Sequence, residues 1–237
     1  RVLFRSPRVM ARTVMNDGWI IPILGALVGY LYVIVITETV QRFPNETIVE
    51  FAPRLLTKPI GIIIVALFGV KILITTAFEL RLLCEIVTQL LLPRTPTGVI
   101  IMVMLFTVAY LVVDGIEAYA RMGEVLVFAV FIPLAIVFAF IVARADYRQL
   151  LPIFQSSKSG VIQAIYYVSL TFMPLEFMLL FTAFMGDPQG AKGSCKWAVM
   201  VIFIVETITV ILTYIGVGVS EARRNFWPVL TLMQSVQ

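Results

Sequence analysis

The sequence predicts an all-α integral membrane protein. Of the 237 residues, 60% are hydrophobic and 14% are charged, whereas a soluble domain carries about 25% charged residues. The charges gather in short segments, and the stretch Val125–Ala143 contains none. Such a stretch supplies the ~20 apolar residues that a helix needs to cross a bilayer.

The apolar segments between these charged connectors predict six near-complete spans and the start of a seventh. Turn signals separate several of them. The segment Leu92–Pro96, which contains two prolines, predicts one turn, and Asp114-Gly115 is typical of a second, tight turn. Pro133 predicts a kink inside the fourth span. The spans are predicted at about residues 18–40, 59–92, 97–113, 116–143, 160–185 and 197–219, with a partial span from 226.

The connector between the first two spans predicts a short helix lying along the membrane surface. Thr47 is followed three residues later by Glu50, which is the spacing of a capping box. Ile48, Val49, Phe51 and Leu55 supply an apolar face for that helix.

The two ends of the sequence resemble cuts. Residues 1–6 are the peptide that a widely used sequencing-adapter stretch encodes, so we expect them to be an artefact. The other end breaks off just after a new apolar stretch begins at Phe226. We therefore expect residues 7–237 to be a fragment of a single transmembrane domain.

The composition argues against an enzyme, a metal site and a bound cofactor. The chain has no histidine, and its two cysteines, Cys84 and Cys195, lie in different segments without metal-ligand spacing. Its basic residues stand singly or in pairs at span ends, where their stems reach toward lipid phosphates. The net charge of +4 therefore indicates a lipid bilayer as partner, and no nucleic acid.

The fifth predicted span contains a break that favours a ligand site. Pro174 lacks an N–H and removes a helical hydrogen bond, and Glu176 places a carboxylate beside it. Exposed backbone groups at membrane depth are tolerated where they line a cavity, as in the broken helices of transporters. The alternative is a kinked helix in which a protonated Glu176 bonds to a neighbour.

Several further residues accompany this break or carry charge inside other spans. The residues next to Glu176 and Pro174 are expected either to line a ligand pocket or to pack between helices. They are Tyr167, Ser169, Thr171, Phe172 and Met173. Arg81 and Glu85 are spaced for a structural pair on one helix face. Glu117, Arg121 and Glu124 have similar spacing and are expected to anchor one helix to another. Glu206 is either a coupling group or a protonated packing residue.

Four motifs in register resemble the spore germination permeases. They are the connector Arg42–Phe51, the Arg81-x3-Glu85 pair leading into Leu91–Pro96, the segment Gly115–Glu124, and Leu150-Leu-Pro152. The resemblance extends from about residue 17 to the end of the chain.

This resemblance implies a partial LeuT-type inverted-repeat transporter fold of the amino acid–polyamine–organocation superfamily, without its first helix. It implies the transporter-like subunit of a germinant receptor in the spore inner membrane, a bacterial cytoplasmic membrane. The expected ligand is a small germinant, an amino acid, bound at the broken helix. The expected partners are a membrane protein with a large soluble domain and a lipoprotein. A proton-coupled amino-acid transporter is the alternative, and an enzyme is not expected.

Overall fold

A computed structural model describes residues 2–43, 46–142, 147–151, 156–185, 190–229 and 231. Every regular element in these ranges is helical. The α-helices are α1 (Val2–Thr13), α2 (Ile20–Arg42), α3 (Ile48–Leu55), α4 (Lys58–Leu90), α5 (Thr97–Val113), α6 (Gly115–Val142), α7 (Lys158–Ser169), α8 (Met178–Phe181), α9 (Ala191–Val217) and α10 (Val219–Arg224). Short 3-10 segments cover Met15–Trp19, Tyr147–Leu150, Leu170–Phe177 and Thr182–Phe184.

Five helical stretches in the described residues are long and apolar enough to cross a membrane, which confirms the predicted all-α membrane class. Thr97–Val113 is a shorter apolar helix at the position predicted for the third span. Most of the predicted seventh span lies outside the described residues. The five stretches are Met15–Arg42, Lys58–Leu90, Gly115–Val142, Lys158–Phe181 and Lys192–Val217.

The chain groups into two compact units. One consists of Leu67–Phe140, and the other joins Val2–Ala66 to Ile141–Gln237. In the first unit, buried Cys84 of α4 places its sulfur 3.6 Å from that of Met104 in α5. Gly115, with φ +87°, forms the tight turn predicted between α5 and α6, because this backbone conformation favours glycine.

In the second unit, α2 packs against both α7 and α9. Two glycines permit this close approach. A Cβ on Gly25 would lie 2.5 Å from Cγ1 of Val168, and one on Gly29 would lie 3.1 Å from the Phe172 ring. Small residues have this role between membrane helices in general, because they let neighbouring elements approach.

The helix α1 is an element to which the sequence analysis assigned no structure. It packs against α7, α9 and α10, and its residues Met10 and Ala11 are fully buried. The sequence signal is weak because the segment is short and carries Arg8 and Arg12. The assignment of residues 1–6 to an adapter, and of residues 7–237 to one domain, stays a prediction.

The surface helix α3 begins as predicted. The Thr47 backbone N–H donates to Oε2 of Glu50 at 2.7 Å, and the Thr47 hydroxyl lies 3.0 Å from the same oxygen. Phe51 is buried on this helix and stacks on Phe43 with ring centroids 4.7 Å apart. The capping box predicted for this connector is therefore confirmed.

Candidate ligand site at a broken membrane helix

The helical hydrogen-bond pattern changes within the fifth predicted span. The α-helical pattern of α7 ends at Ser169, a 3-10 segment covers Leu170–Phe177, and α8 resumes for one turn. Pro174 lies inside the 3-10 segment and has no N–H to donate. The stretch stays helical, and its change from α-helical to 3-10 bonding begins four residues before the proline.

Glu176 lies inside this break and is buried, with 7% of its surface exposed. The 3-10 segment packs against α2, and Glu176 lies within electrostatic range of Tyr32 on that helix. Placing a carboxylate in a buried site costs free energy unless polar or charged groups compensate it. The break therefore combines altered backbone with a buried acid.

The residues predicted to line the site divide into a buried and an exposed group. Phe172 is 2% exposed and packs against Phe203 with ring centroids 4.9 Å apart. Thr171 is half-buried, whereas Tyr167 is exposed. The Ser169 hydroxyl donates to the carbonyl of Tyr166 at 2.7 Å, within α7. The side chain of Met173 lies outside the described part of the chain.

Glu206 is fully buried in α9. Among the described residues neither carboxylate oxygen has a hydrogen-bond partner, although Ser6 of α1 lies nearby. Thr209 and Thr213 are also fully buried, and each hydroxyl donates at 2.7 Å to a carbonyl one turn earlier in the same helix. The structure thus gives Glu206 an enclosed position with Ser6 nearby, while its role as coupling or packing residue stays open.

The remaining predicted charges form pairs within single helices. Arg81 donates to Glu85 at 3.2 Å in α4, and Arg121 donates to Glu117 at 2.6 Å in α6. All four side chains are at least 35% exposed, and Glu124 is exposed as well. The spacing predicted for same-face pairing is confirmed, and the anchor between helices stays a prediction.

Sequence analysis missed a polar contact between the first span and the connector before α7. Asp17 is 5% exposed and accepts the Ser156 backbone N–H at 2.9 Å. The Ser156 hydroxyl lies 2.5 Å from the same carboxylate oxygen. Asn16 donates to the carbonyl of Leu151 at 2.7 Å. These partners are far apart in sequence, so no local pattern indicates them.

These observations define the class of the protein: it is a helical integral membrane protein with a buried acid in a broken span. Residues 2–237 match the family of spore germination proteins, and the chain belongs to this spore permease family, which is not a known enzyme family. Together with the five helical stretches in the described residues that are long and apolar enough to cross a membrane, membership places the chain in the spore inner membrane or the cytoplasmic membrane.

The chain is similar over most of its length to several spore germination proteins. It is 28% identical to YndE of Bacillus subtilis (strain 168), covering 100% of this chain and 65% of the relative. It is 28% identical to A2 of the same strain (93% and 60%) and 25% identical to GerQB of Bacillus cereus (97% and 63%). The chain thus spans less than two thirds of these relatives. No solved structure matches the chain.

Proposed function

We propose that the chain belongs to the transporter-like subunit of a spore germinant receptor and binds a small germinant, an amino acid, at the broken span. The observation that carries this proposal is the burial of Glu176 inside the 3-10 segment Leu170–Phe177. A carboxylate there suits an ammonium group. Backbone groups near Pro174 suit the carboxylate of the same ligand, as at other broken membrane helices.

Binding would act on germination by shifting a conformational equilibrium. A ligand shifts the equilibrium between two conformations only if its affinities for them differ. A segment with altered helical bonding is suited to adopt two conformations. We propose a LeuT-type inverted-repeat fold for the whole protein. A membrane protein with a large soluble domain and a lipoprotein are the proposed partner subunits.

The test replaces Glu176→Gln, which keeps shape and removes the charge. In spores that depend on a receptor carrying this chain within its full reading frame, we expect the germinant concentration for half-maximal response to rise at least tenfold. The matched control is Glu221→Gln, the same chemical change on exposed α10. An unchanged response in Glu176→Gln spores, with normal receptor abundance, rejects the assignment of the site.

Proton-coupled amino-acid uptake is the second candidate, and the enclosed position of Glu206 favours it. A buried acid without partners is suited to bind and release a proton. Proteoliposomes containing the full-length protein and a labelled amino acid distinguish the two functions. Uptake driven by an inward proton gradient and abolished by Glu206→Gln supports the transporter, whereas ligand binding without uptake supports the receptor.

A further inference from the structure

A groove of about 690 Å³ runs along the outside of the packed helices α2 and α9. Glu176 and Pro174 are not among its lining residues, although Phe203, which packs against Phe172 of the broken span, is one of them. Its walls are mostly apolar and combine well-exposed side chains, such as Leu27 and Met200, with the buried Val199 and Phe203. The lining residues include Leu27 and Tyr30 of α2 and Lys196, Met200, Ile204 and Ile208 of α9.

Lys196 is the charged residue of the groove lining and lies at one end of it, while Thr207 lies toward the other end. Next to the lysine end, outside the lining, Lys192 reaches Glu38 at 3.5 Å, which joins the start of α9 to the end of α2. One turn further along α9, the Lys196 ammonium lies over the Tyr30 ring, 5.1 Å from its centroid. Trp197 beside it is 67% exposed. Lys196 and Trp197 lie near the start of the apolar stretch Lys192–Val217, and lysine and tryptophan at such a position are typical of the level of the lipid head groups.

Lys196 is positioned to accept an anion at this mouth. Within the described ranges it takes part in no ion pair, whereas the neighbouring Lys192 is occupied by Glu38. The mouth is also open, because a Cβ added to Gly193 would meet no atom within 4 Å. A single positive charge in an open aromatic setting complements a single phosphate.

The apolar part of the groove has the length of one membrane leaflet. Lys196, Met200, Ile204 and Ile208 recur every four residues and so follow one face of α9. At about 1.5 Å per residue this face is about 18 Å long. One leaflet of a ~30 Å hydrocarbon core is about 15 Å deep. An acyl chain that starts at the mouth therefore has an apolar wall along its length.

We propose that this groove binds one anionic phospholipid, with its phosphate at Lys196 and one acyl chain along Met200, Ile204 and Ile208. Lys196 and Glu176 belong to different helical segments, so separate variants test the lipid site and the proposed germinant site. A protein segment from the rest of a longer reading frame would be the competing occupant. The charge at the mouth and the apolar wall below it match a lipid in both position and length.

The experiment places the full-length protein that contains this chain in phosphatidylcholine bilayers with a trace of photoreactive phosphatidylglycerol, whose reactive group is in the acyl chain. After irradiation, peptide mapping locates the label. We expect residues 196–208 and 23–30 to be labelled together. A photoreactive phosphatidylcholine with the same acyl chains should label them less.

Variants decide whether Lys196 selects the head group. Lys196→Gln should lower phosphatidylglycerol labelling about fivefold, the effect of one basic residue near the head groups, and leave phosphatidylcholine labelling unchanged. Lys196→Arg should keep the labelling, and Lys158→Gln, outside the groove, should not affect it. The proposal is overturned if the labelling is the same for both head groups, if it is unchanged in Lys196→Gln, or if it is absent from α2 or α9. A groove covered by a protein segment would leave one or both helices unlabelled.

Discussion

The ring of Phe172 packs against the ring of Phe203, with centroids 4.9 Å apart and planes tilted by 38°. Phe172 belongs to the broken span and Phe203 to α9, so this contact joins the altered backbone to an unbroken helix. Phe172 also lies against Gly29 of α2. The break is therefore packed against both α2 and α9, next to Glu176.

The glycines of α2 are predicted to be required for this packing. Gly25→Ala places a methyl group 2.5 Å from Cγ1 of buried Val168, so the two helices must separate. Overpacking of this kind costs roughly 1–3 kcal/mol. We expect a lower midpoint of thermal unfolding in detergent, followed by tryptophan fluorescence.

The matched control for this prediction is Gly69→Ala in α4. A Cβ at Gly69 meets no atom within 4 Å, and alanine stabilises a helix by up to ~1 kcal/mol relative to glycine. We expect an unchanged or slightly higher midpoint. Equal midpoints for both variants would show that α2 and α7 are not in close contact.

The contact between Asp17 and Ser156 is predicted to hold the connector before α7 against the first span. Asp17→Ala leaves the Ser156 N–H without its acceptor at 2.9 Å, and a hydrogen bond to a charged group contributes roughly 1.5–3 kcal/mol. We expect faster hydrogen exchange at Ser156. Exchange at the Thr47 and Glu50 amides, far from this contact in sequence, serves as the internal control and should be unaffected.

The elements of the fold differ in how far the sequence predicts them. Long apolar stretches and Pro or Gly at their ends indicate α2, α4, α5 and α6 to within about two residues. The sixth predicted span, 197–219, begins later than α9, which starts at Ala191. The polar segment between Ala191 and Lys196 reads as a loop, and its contacts with α2, such as Lys192 to Glu38, are not visible in sequence.

The candidate site is predictable in part for the same reason. Pro174 and Glu176 indicate a break and an acid locally, because one residue removes a donor and the other carries a charge. The burial of Phe172 and the exposure of Tyr167 depend on which face of α7 and of the 3-10 segment meets α2, and the local sequence does not show this. Glu206 is apparent as an intramembrane acid, but its complete enclosure depends on α1, for which the pattern gives no helix.

The capping box of α3 is predicted to determine whether this surface helix forms. Thr47→Ala removes the hydroxyl that lies 3.0 Å from Glu50, and losing such a cap costs ~1 kcal/mol. We expect faster hydrogen exchange at the amides of Glu50 and Phe51. Thr39→Ala is the control, because its hydroxyl donates to the carbonyl of Val35 within α2. Equal exchange at those amides in the two variants would argue against a capping role.

We predict that Glu206 lowers the free energy of unfolding of the protein and that its carboxyl group is needed for function. Its two carboxylate oxygens are buried without partners in the described part of the chain, and leaving a buried polar group unsatisfied costs roughly 1–3 kcal/mol. Replacing buried charged groups with apolar residues of similar volume is often neutral or stabilising. Glu206→Met should therefore raise the midpoint of thermal unfolding.

The same variant should impair the response of the protein to its ligand, because methionine cannot bind a proton. Glu221→Met, which replaces an exposed acid on α10, should change neither stability nor response. A gain in stability with normal germination would assign Glu206 to packing alone. A loss of stability would indicate that the carboxyl group has a bonding partner in the membrane, since only a satisfied group is worth more than the apolar contact that replaces it.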